Sequence, residues 1–143
     1  MVLADVNILV YAFWIEAPDH RTHREWLNEL LHSDAGFGVS ELVLSGFVRV
    51  VTNPRIFSPP TDVKIALEFA DTLRTHPNAV VLAPGPRHWE LFSRLCREVA
   101  AKGNLVPDAY LAALAIESGS EWITTDRDFS RFPGLRWRHP LDG

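Results

Sequence analysis

The stretch GNLVPDAYLAALAIESGSEWITTDRDF, residues 103–129, predicts a helix that is followed directly by a strand. Pro107 near the start and Gly119 after the end bracket the helix in the usual order for these two residue types. The apolar run at residues 122–125 has the length and composition of a buried strand. The stretch therefore predicts one helix-strand unit of an α/β sheet.

On the N-terminal side of this stretch, predicted strands and helices also follow one another along the chain. Short β-like runs at residues 2–4, 37–40 and 79–82 alternate with longer stretches of helical period. Such alternation is typical of a mostly parallel sheet that helices cover on both faces. The segment NPRIFSPP, residues 53–60, predicts an irregular loop between two helices because of its prolines. Within the helical stretches, periodicity predicts ten core positions: Val63, Ala66, Leu67, Ala70, Leu73, Trp89, Phe92, Cys96, Val99 and Ala100.

Length and composition indicate a single domain that spans residues 1–143. With 47% hydrophobic residues the chain can bury a core without disulfides, and its single cysteine, Cys96, is predicted to be a small buried hydrophobe. No apolar run is long enough to cross a bilayer, and the first residues lack the features of a secretory signal. We therefore expect a soluble cytoplasmic protein with no membrane partner.

Acidic residues follow several of the predicted strands. Asp5 follows the first strand, Glu41 the second and Asp126 the last, while Asp108 adds an acid from the first turn of a helix. Ligands of open α/β sheets lie beyond the carboxyl ends of the strands, so these four side chains are candidate site residues. Singly, each is better explained as a turn or helix-capping residue. Together in one cleft, they would repel one another and raise their pKa values, a penalty that a divalent cation removes.

The available ligands indicate which cation this would be. Carboxylate oxygens suit Mg²⁺, which prefers oxygen ligands in octahedral geometry, whereas zinc recruits histidine or cysteine at short regular spacing. The only close histidine pair, His20 and His23, lies at a polar helix start and is interpreted as a solvated helical face. No GxSxG, GxGxxG or GxxxxGK[ST] motif occurs, which removes the simplest signals of an α/β-hydrolase, a Rossmann dehydrogenase and a P-loop NTPase.

Three segments carry a more specific signal: DVNILVYA at the start, SELVLSGFVRVVTNPRIF in the middle, and GNLVPDAYLAALAIESGSEWITTDRDFSRFPGLRW near the end. In this order they resemble the PIN-domain nucleases, and specifically the VapC toxins of bacterial toxin-antitoxin pairs. The resemblance spans the whole chain. It implies a Rossmann-like, three-layer PIN fold, a Mg²⁺ site in which Mn²⁺ can substitute, and endoribonuclease activity. It also implies an RNA substrate, a homodimer and a cognate VapB-like antitoxin.

The same resemblance assigns roles to individual residues. Asp5, Glu41, Asp108 and Asp126 fall where the family's acidic quartet stands. Direct metal contact is expected of Asp5, Asp108 and Asp126, whereas Glu41 either binds the metal through water or orients the nucleophile. Supporting roles are implied for three further residues: Asn7, Thr125 and Asp128.

The predicted reaction is hydrolysis of RNA phosphodiester bonds by a metal-activated water, with one ion or two. Its products would carry 5′-phosphate and 3′-hydroxyl ends, and transfer, ribosomal and messenger RNA are each compatible with a short cleft. Two alternatives fit less well. An aspartyl phosphate at Asp5 lacks the second acid of a DxD signature, and a silent binding module does not explain why all the acids are present.

Arginines and aromatic residues bear on the partners. The net charge is −4, but six arginines could still form a local basic rim for RNA: Arg49, Arg55, Arg127, Arg131, Arg136 and Arg138. Tyr11, Phe13 and Trp14 follow Asp5 closely. Internal packing or a dimer contact is the first interpretation of these rings, and a groove for an antitoxin segment is the second.

Overall fold

The strands and helices of residues 1–142 are described by a computed structural model. The strands are β1 (Val2–Ala4), β2 (Phe37–Val39), β3 (Ala79–Val81), β4 (Glu121–Ile123) and β5 (Trp137–Arg138). The helices are α1 (Val6–Phe13), α2 (His20–Leu31), α3 (Glu41–Val51), α4 (Val63–Arg74), α5 (His88–Glu98) and α6 (Leu105–Ser118). A 3₁₀ helix at Arg127–Arg131 lies between β4 and β5.

All neighbouring strands pair in parallel, in the order β3-β2-β1-β4-β5. The chain therefore moves outward from β1 to β3 and then crosses back to place β4 on the other side of β1. Such a reversal opens a crevice at the carboxyl ends of the two strands on either side of it, here β1 and β4. Ala4 pairs with Ile123, so the residues that follow both strands emerge side by side in this crevice.

The helices form two groups. Helices α1 to α4 pack on one another, α2 and α3 on α1 and α4 on α3, whereas α5 packs on α6. Because parallel crossovers are right-handed, the connections that run outward from β1 and the connection that returns to β4 lie on opposite faces of the sheet. The predicted three-layer α/β fold with a parallel central sheet is therefore confirmed.

The helix-strand unit that the sequence predicts at residues 103–129 is present as α6 and β4. Helix α6 begins at Leu105, two residues before Pro107, because the first turn of a helix needs no N–H donor from a proline. Gly119 ends the helix with a φ of 68°, a backbone conformation that glycine adopts without strain. The unit carries Asp108 in the first turn of α6 and Asp126 after the end of β4, in the places that the sequence indicates.

Strand ends and the sheet edge differ from the prediction. β2 ends at Val39 because Ser40 caps α3, its hydroxyl accepting a hydrogen bond from the Val43 N–H at 3.4 Å. β5 is an additional edge strand of two residues beside β4. Two residues carry no periodicity, so the sequence pattern does not indicate this strand.

The core prediction is wrong for two positions of α4. Val63 and Leu67 remain 55% and 47% exposed. Ala66, Ala70 and Leu73 are the fully buried residues of this helix, because α4 lies on the outside of α3 and covers it through a narrow stripe. The loop at residues 53–60, which joins α3 to α4, is irregular as predicted.

On α5, Phe92, Cys96 and Val99 pack against the core as predicted, but the most deeply buried face lies one residue earlier. Trp89 is 69% exposed, and His88, Leu91 and Leu95 are buried instead. Because histidine is a polar residue, a pattern of apolar residues does not include a buried histidine in the predicted core face of the helix. Ala100 follows α5 in a turn with a φ of 49° and is exposed as well.

His23 is buried, not solvated as predicted. Its Nδ1 lies 2.9 Å from the Asp19 carbonyl oxygen, and its ring meets the Tyr11 ring edge to face because α2 packs on α1.

Cys96 is half-buried against the core. Among the helices of residues 1–142, none combines the length and the apolar character that a membrane crossing requires.

Candidate functional site

Asp5 connects β1 to α1 at the crevice. Its backbone N–H donates to the Ile123 carbonyl oxygen at 2.9 Å, which extends the pairing of β1 with β4 by one residue. Its carboxylate is buried and accepts hydrogen bonds from the Val6 N–H and from the Thr124 hydroxyl, both at 2.7 Å. The two carboxylate oxygens are thus each held in place at the carboxyl end of β1.

Thr124 links Asp5 to Asp126. The Thr124 side chain is fully buried, and its hydroxyl donates to Asp5 while it accepts from the Asp126 backbone N–H at 3.0 Å. The Asp126 carboxylate begins the 3₁₀ helix by accepting from the Asp128 N–H at 2.9 Å. One hydroxyl therefore holds together the ends of the two strands that form the crevice.

The predicted supporting residues lie near this linkage. The Asn7 side-chain NH₂ group donates to the Thr124 hydroxyl at 3.4 Å, and the Asn7 side-chain oxygen Oδ1 accepts from the Thr125 N–H at 3.5 Å. Thr124, which the sequence analysis does not single out, holds the closer contacts. A strand order that places β4 beside β1 brings Thr124 against Asp5, and this order is not readable from the sequence.

Asp108 brings a third carboxylate to the crevice from the first turn of α6, where it is half-buried. Burial, followed by the negative charges of Asp126, Asp5 and Asp128, raises the pKa of Asp108 from 3.8 to about 6. Burial also raises the pKa of Asp5 from 3.8 to about 6, against the lowering effect of its two hydrogen bonds and with a further increase from Asp126. The carboxylates of the crevice therefore destabilise one another when they are ionised.

Glu41 does not join this group. It is the first residue of α3, and its carboxylate pairs with the Arg74 guanidinium at 2.9 Å, with both side chains largely exposed. Its charge is not among the causes that raise the pKa of Asp5 or Asp108. The structure therefore brings three of the four predicted acids together and leaves Glu41 paired with an arginine.

The three carboxylates form a donor set that suits a hard divalent cation. Within residues 1–142, no cluster of three or more histidine, cysteine, aspartate or glutamate side chains is close enough, as placed, to hold a metal ion. The charges of Asp5 and Asp126 nevertheless act on Asp108 and contribute to its raised pKa. Mg²⁺ keeps several waters and takes few direct carboxylate ligands, so separated carboxylates fit it. Asp5, Asp108 and Asp126 are the residues that could hold such an ion.

The raised pKa values predict that the metal-free protein loses stability as the pH rises from about 4 to about 6.5. An acid with a higher pKa in the folded chain than in the unfolded chain favours folding while protonated, and this contribution disappears as the proton leaves. For buried Asp5, a shift from 3.8 to about 6 corresponds to about 3 kcal/mol. Half-buried Asp108 contributes about 1 kcal/mol, because solvent screens its charge.

Urea unfolding in EDTA across this pH range tests the prediction, with Asp108→Asn for comparison. The variant should be more stable than the native chain at neutral pH, and the difference should vanish as the pH falls to about 4. A difference that does not change with pH would show that the Asp108 charge does not destabilise the fold.

Two clefts open beside the acids. The larger, of about 810 Å³, lies between α3 and α6 and is named the α3–α6 cleft; its lining includes Val6, Glu41, Arg49, Pro107 and Tyr110. The smaller, of about 360 Å³, is named the α1 groove; its lining includes Asp5, Asn7, Tyr11, Trp14 and Ile56. Val6, the residue that follows Asp5, lines both clefts.

The aromatic segment after Asp5 packs largely inside the protein. Phe13 meets Phe47 and Phe69 edge to face, with ring centroids 5.3 and 5.1 Å apart, and Trp14 meets Phe57 at 4.8 Å. Internal packing therefore accounts for Phe13. Trp14 and Tyr11 also contribute to the wall of the α1 groove.

Two of the six arginines make contacts with the β4 strand. Arg136 donates to the Gly119 carbonyl oxygen at 2.7 Å, at the amino end of β4, and Arg138 binds Glu121 at 3.3 Å. These two arginines join the β5 edge to the β4 strand, and the basic-rim prediction is wrong for them. Of the six, Arg49 is the residue that lines the α3–α6 cleft.

Comparison with known proteins gives one consistent family. The family model described as PIN domain matches residues 2–135. A VapC ribonuclease of Mycobacterium bovis, Mb2897, is 46% identical, over 100% of this chain and 97% of its own length. Ribonuclease VapC25 of Mycobacterium tuberculosis is 41% identical, over 98% of this chain and 99% of its own length.

Solved structures share the fold at lower sequence identity. VapBC2 from Rickettsia felis, bound to a DNA fragment from its promoter, matches with a TM-score of 0.71 and 20% identity, over 97% of this chain and 98% of that chain. VapC20 of Mycobacterium tuberculosis, described as a sarcin-ricin loop cleaving toxin, matches with a TM-score of 0.67 and 16% identity, over 95% of this chain and 99% of that chain. At these identities the likeness concerns the fold.

Proposed function

The chain belongs to the PIN-domain family, in its VapC branch, and from this premise we propose that it is a Mg²⁺-dependent endoribonuclease, the toxin of a VapBC-like toxin-antitoxin pair. The names of its relatives support the ribonuclease activity. The observation that carries the metal dependence is the group of Asp5, Asp108 and Asp126 at the crevice between β1 and β4, where two carboxylates have a pKa of about 6. Mn²⁺ is the expected substitute for Mg²⁺.

When bound, the divalent cation supplies positive charge to the scissile phosphate and lowers the pKa of a nucleophilic water. Asp5, Asp108 and Asp126 would hold the cation. Thr124 fixes the orientation of Asp5 through its hydroxyl, and Asn7 fixes Thr124 in turn. Asp128 adds negative charge at the entrance to the group. Precise orientation of ligands by such neighbours is what keeps a metal site competent.

Hydrolysis by water should leave 5′-phosphate and 3′-hydroxyl ends. The test is to incubate the purified protein and Mg²⁺ with single-stranded RNA and to determine the chemistry of both new ends. Ends that carry a 2′,3′-cyclic phosphate would contradict the proposal, because they arise when the ribose hydroxyl is the nucleophile.

The surroundings of Asp5 disfavour the alternative of an aspartyl phosphate. Asn7 stands two residues after Asp5, in the place where a DxD signature has its second acid. Glu41 keeps its two candidate roles, water-mediated metal binding or orientation of the nucleophile, and either would require its carboxylate to leave Arg74. The homodimer stays a prediction, which sedimentation velocity would check.

We also propose that a VapB-like antitoxin inhibits the enzyme by occupying the α1 groove. The groove ends at Asp5 and is lined by Tyr11 and Trp14, with Ile56 55% exposed at its rim. An apolar segment fits these side chains, and an arginine or lysine at its end would meet the carboxylates of the crevice. The antitoxin and the metal ion would then bind the same carboxylates, and we expect them to compete.

The competition predicts that more antitoxin is needed for half-inhibition at high Mg²⁺ than at low Mg²⁺. Replacing the basic residue of the antitoxin by alanine should weaken inhibition more than binding, because the apolar contacts remain. On this chain, the corresponding test is Ile56→Ser, which removes an apolar contact of the groove. It should weaken antitoxin binding by about tenfold without changing RNA cleavage. Inhibition that does not depend on the Mg²⁺ concentration would rule out competition.

A further inference from the structure

We propose that the α3–α6 cleft binds the nucleotides next to the scissile phosphate, with Arg49 on the RNA backbone and Tyr110 against a base. This inference rests on the proposed ribonuclease function and adds a substrate-binding site to it. The cleft has a volume of about 810 Å³, within the range of about 300–1,000 Å³ of small-molecule sites. It therefore has room for a nucleotide.

The lining of the cleft includes the chain neighbours of two of the acids. Val6 and Pro107 line it, and these residues directly follow Asp5 and directly precede Asp108. An RNA strand whose phosphate lies at the acids must extend to either side of them. The α3–α6 cleft is the larger of the two openings beside the acids and is the natural path for the strand on that side.

The charge of the cleft suits a phosphate. Its lining contains two charged residues, Glu41 and Arg49. The Glu41 carboxylate is neutralised by Arg74 at 2.9 Å, so the uncompensated charge in the cleft is the positive charge of Arg49. Arg49 is exposed, and the ion pairs found within residues 1–142 involve other arginines: Arg21, Arg74, Arg94, Arg127 and Arg138. Its guanidinium is free to bind a phosphate.

Helix α6 contributes an aromatic side chain to the cleft. Tyr110 is partly exposed in the cleft. Its ring makes edge-to-face contacts with the rings of His88 and Phe92, with ring centroids 4.2 and 5.6 Å apart. The His88 Nε2 lies 2.9 Å from the Tyr110 carbonyl oxygen, which fixes the two helices at this point. A ring held in this way can stack on an unpaired base, and such stacking is tolerant of sequence.

The test is to measure the binding of a short single-stranded RNA that contains 2-aminopurine, in Ca²⁺, to the native chain and to three variants. Arg49→Gln should raise the Kd about fivefold, and Tyr110→Leu should raise it about tenfold and remove the fluorescence quenching that stacking causes. Arg97→Gln is the matched control, because Arg97 is also an exposed arginine in the last turn of a helix but does not line the cleft. Its Kd should stay within about twofold.

The outcomes separate this inference from the proposed function. If the native chain cuts RNA in Mg²⁺ but Arg49→Gln and Tyr110→Leu bind RNA as the native chain does, the cleft assignment is wrong and the ribonuclease proposal stands. If these changes abolish self-association and leave RNA affinity unchanged, a second copy of the chain covers the cleft, which also overturns the assignment. If the native chain cuts no RNA, the proposed function itself fails.

Discussion

Asp108→Asn should reduce RNA cleavage by at least about a hundredfold and at the same time stabilise the metal-free protein by about 1 kcal/mol at neutral pH. The loss of activity is expected because the substitution removes a charged ligand of the proposed cation. The gain in stability is expected because it removes a half-buried charge whose pKa is raised to about 6 by burial and by its acidic neighbours. Activity and stability should thus change in opposite directions.

Asp5→Asn and Asp126→Asn should abolish cleavage in the same way, with a smaller gain in stability. Asp5→Asn removes a buried charge, which stabilises the fold. This gain is offset because an asparagine NH₂ group cannot accept the hydrogen bond from the Thr124 hydroxyl. For Asp126, the carboxylate also begins the 3₁₀ helix through the Asp128 N–H. Both variants should remain at least as stable as the native chain.

Thermal melts in EDTA beside a cleavage assay in Mg²⁺ measure both effects. Asp34→Asn is the matched control, because Asp34 is an exposed acid in the turn between α2 and β2 and should change neither quantity. Variants that lose activity only because they unfold, or that continue to cut RNA, would show that the acids of the crevice are not a catalytic group.

Removing divalent metal with EDTA should lower cleavage by at least about a hundredfold, and Mg²⁺ or Mn²⁺ should restore it. Ca²⁺ should bind to the same carboxylates without supporting cleavage, because its ligand geometry is looser. Zinc should not be needed for folding. Full activity in excess EDTA would falsify the metal mechanism.

Metal binding has a second readout that does not depend on activity. A cation that relieves the repulsion between carboxylates should raise the midpoint of thermal unfolding of the native chain. The same addition should have a much smaller effect on Asp108→Asn, since that variant carries one carboxylate fewer at the crevice. Equal stabilisation of both proteins would place the bound metal elsewhere on the surface.

Much of the fold could be predicted because its elements have local signatures. The run of small apolar residues in α6, closed by Gly119, and the short apolar strands each show their structure within a few residues of sequence. The positions of Asp5 and Asp126 after strands follow from the same local pattern. Their convergence also follows, because parallel strands end at one edge of the sheet.

The remaining features depend on contacts between distant segments. Strand order decides that Thr124 meets Asp5, and a separation of 119 residues leaves no trace in a local pattern. The pairing of Glu41 with Arg74 depends on how α4 lies against α3. The buried histidine His88 belongs to the same class, because its polarity predicts exposure and only the α5–α6 contact explains its burial.

The return of the chain from β3 to β4 has a consequence for how this protein is made. Asp5 leaves the ribosome before Asp108 and Asp126, which follow only after α5 has been synthesised. Until β4 pairs with β1, a nascent chain lacks the Thr124 hydrogen bond to Asp5, and Asp126 has not joined the crevice. The order of synthesis therefore delays assembly of the site until β4 has emerged, and before that point the growing chain carries no complete group of acids beside its own messenger RNA.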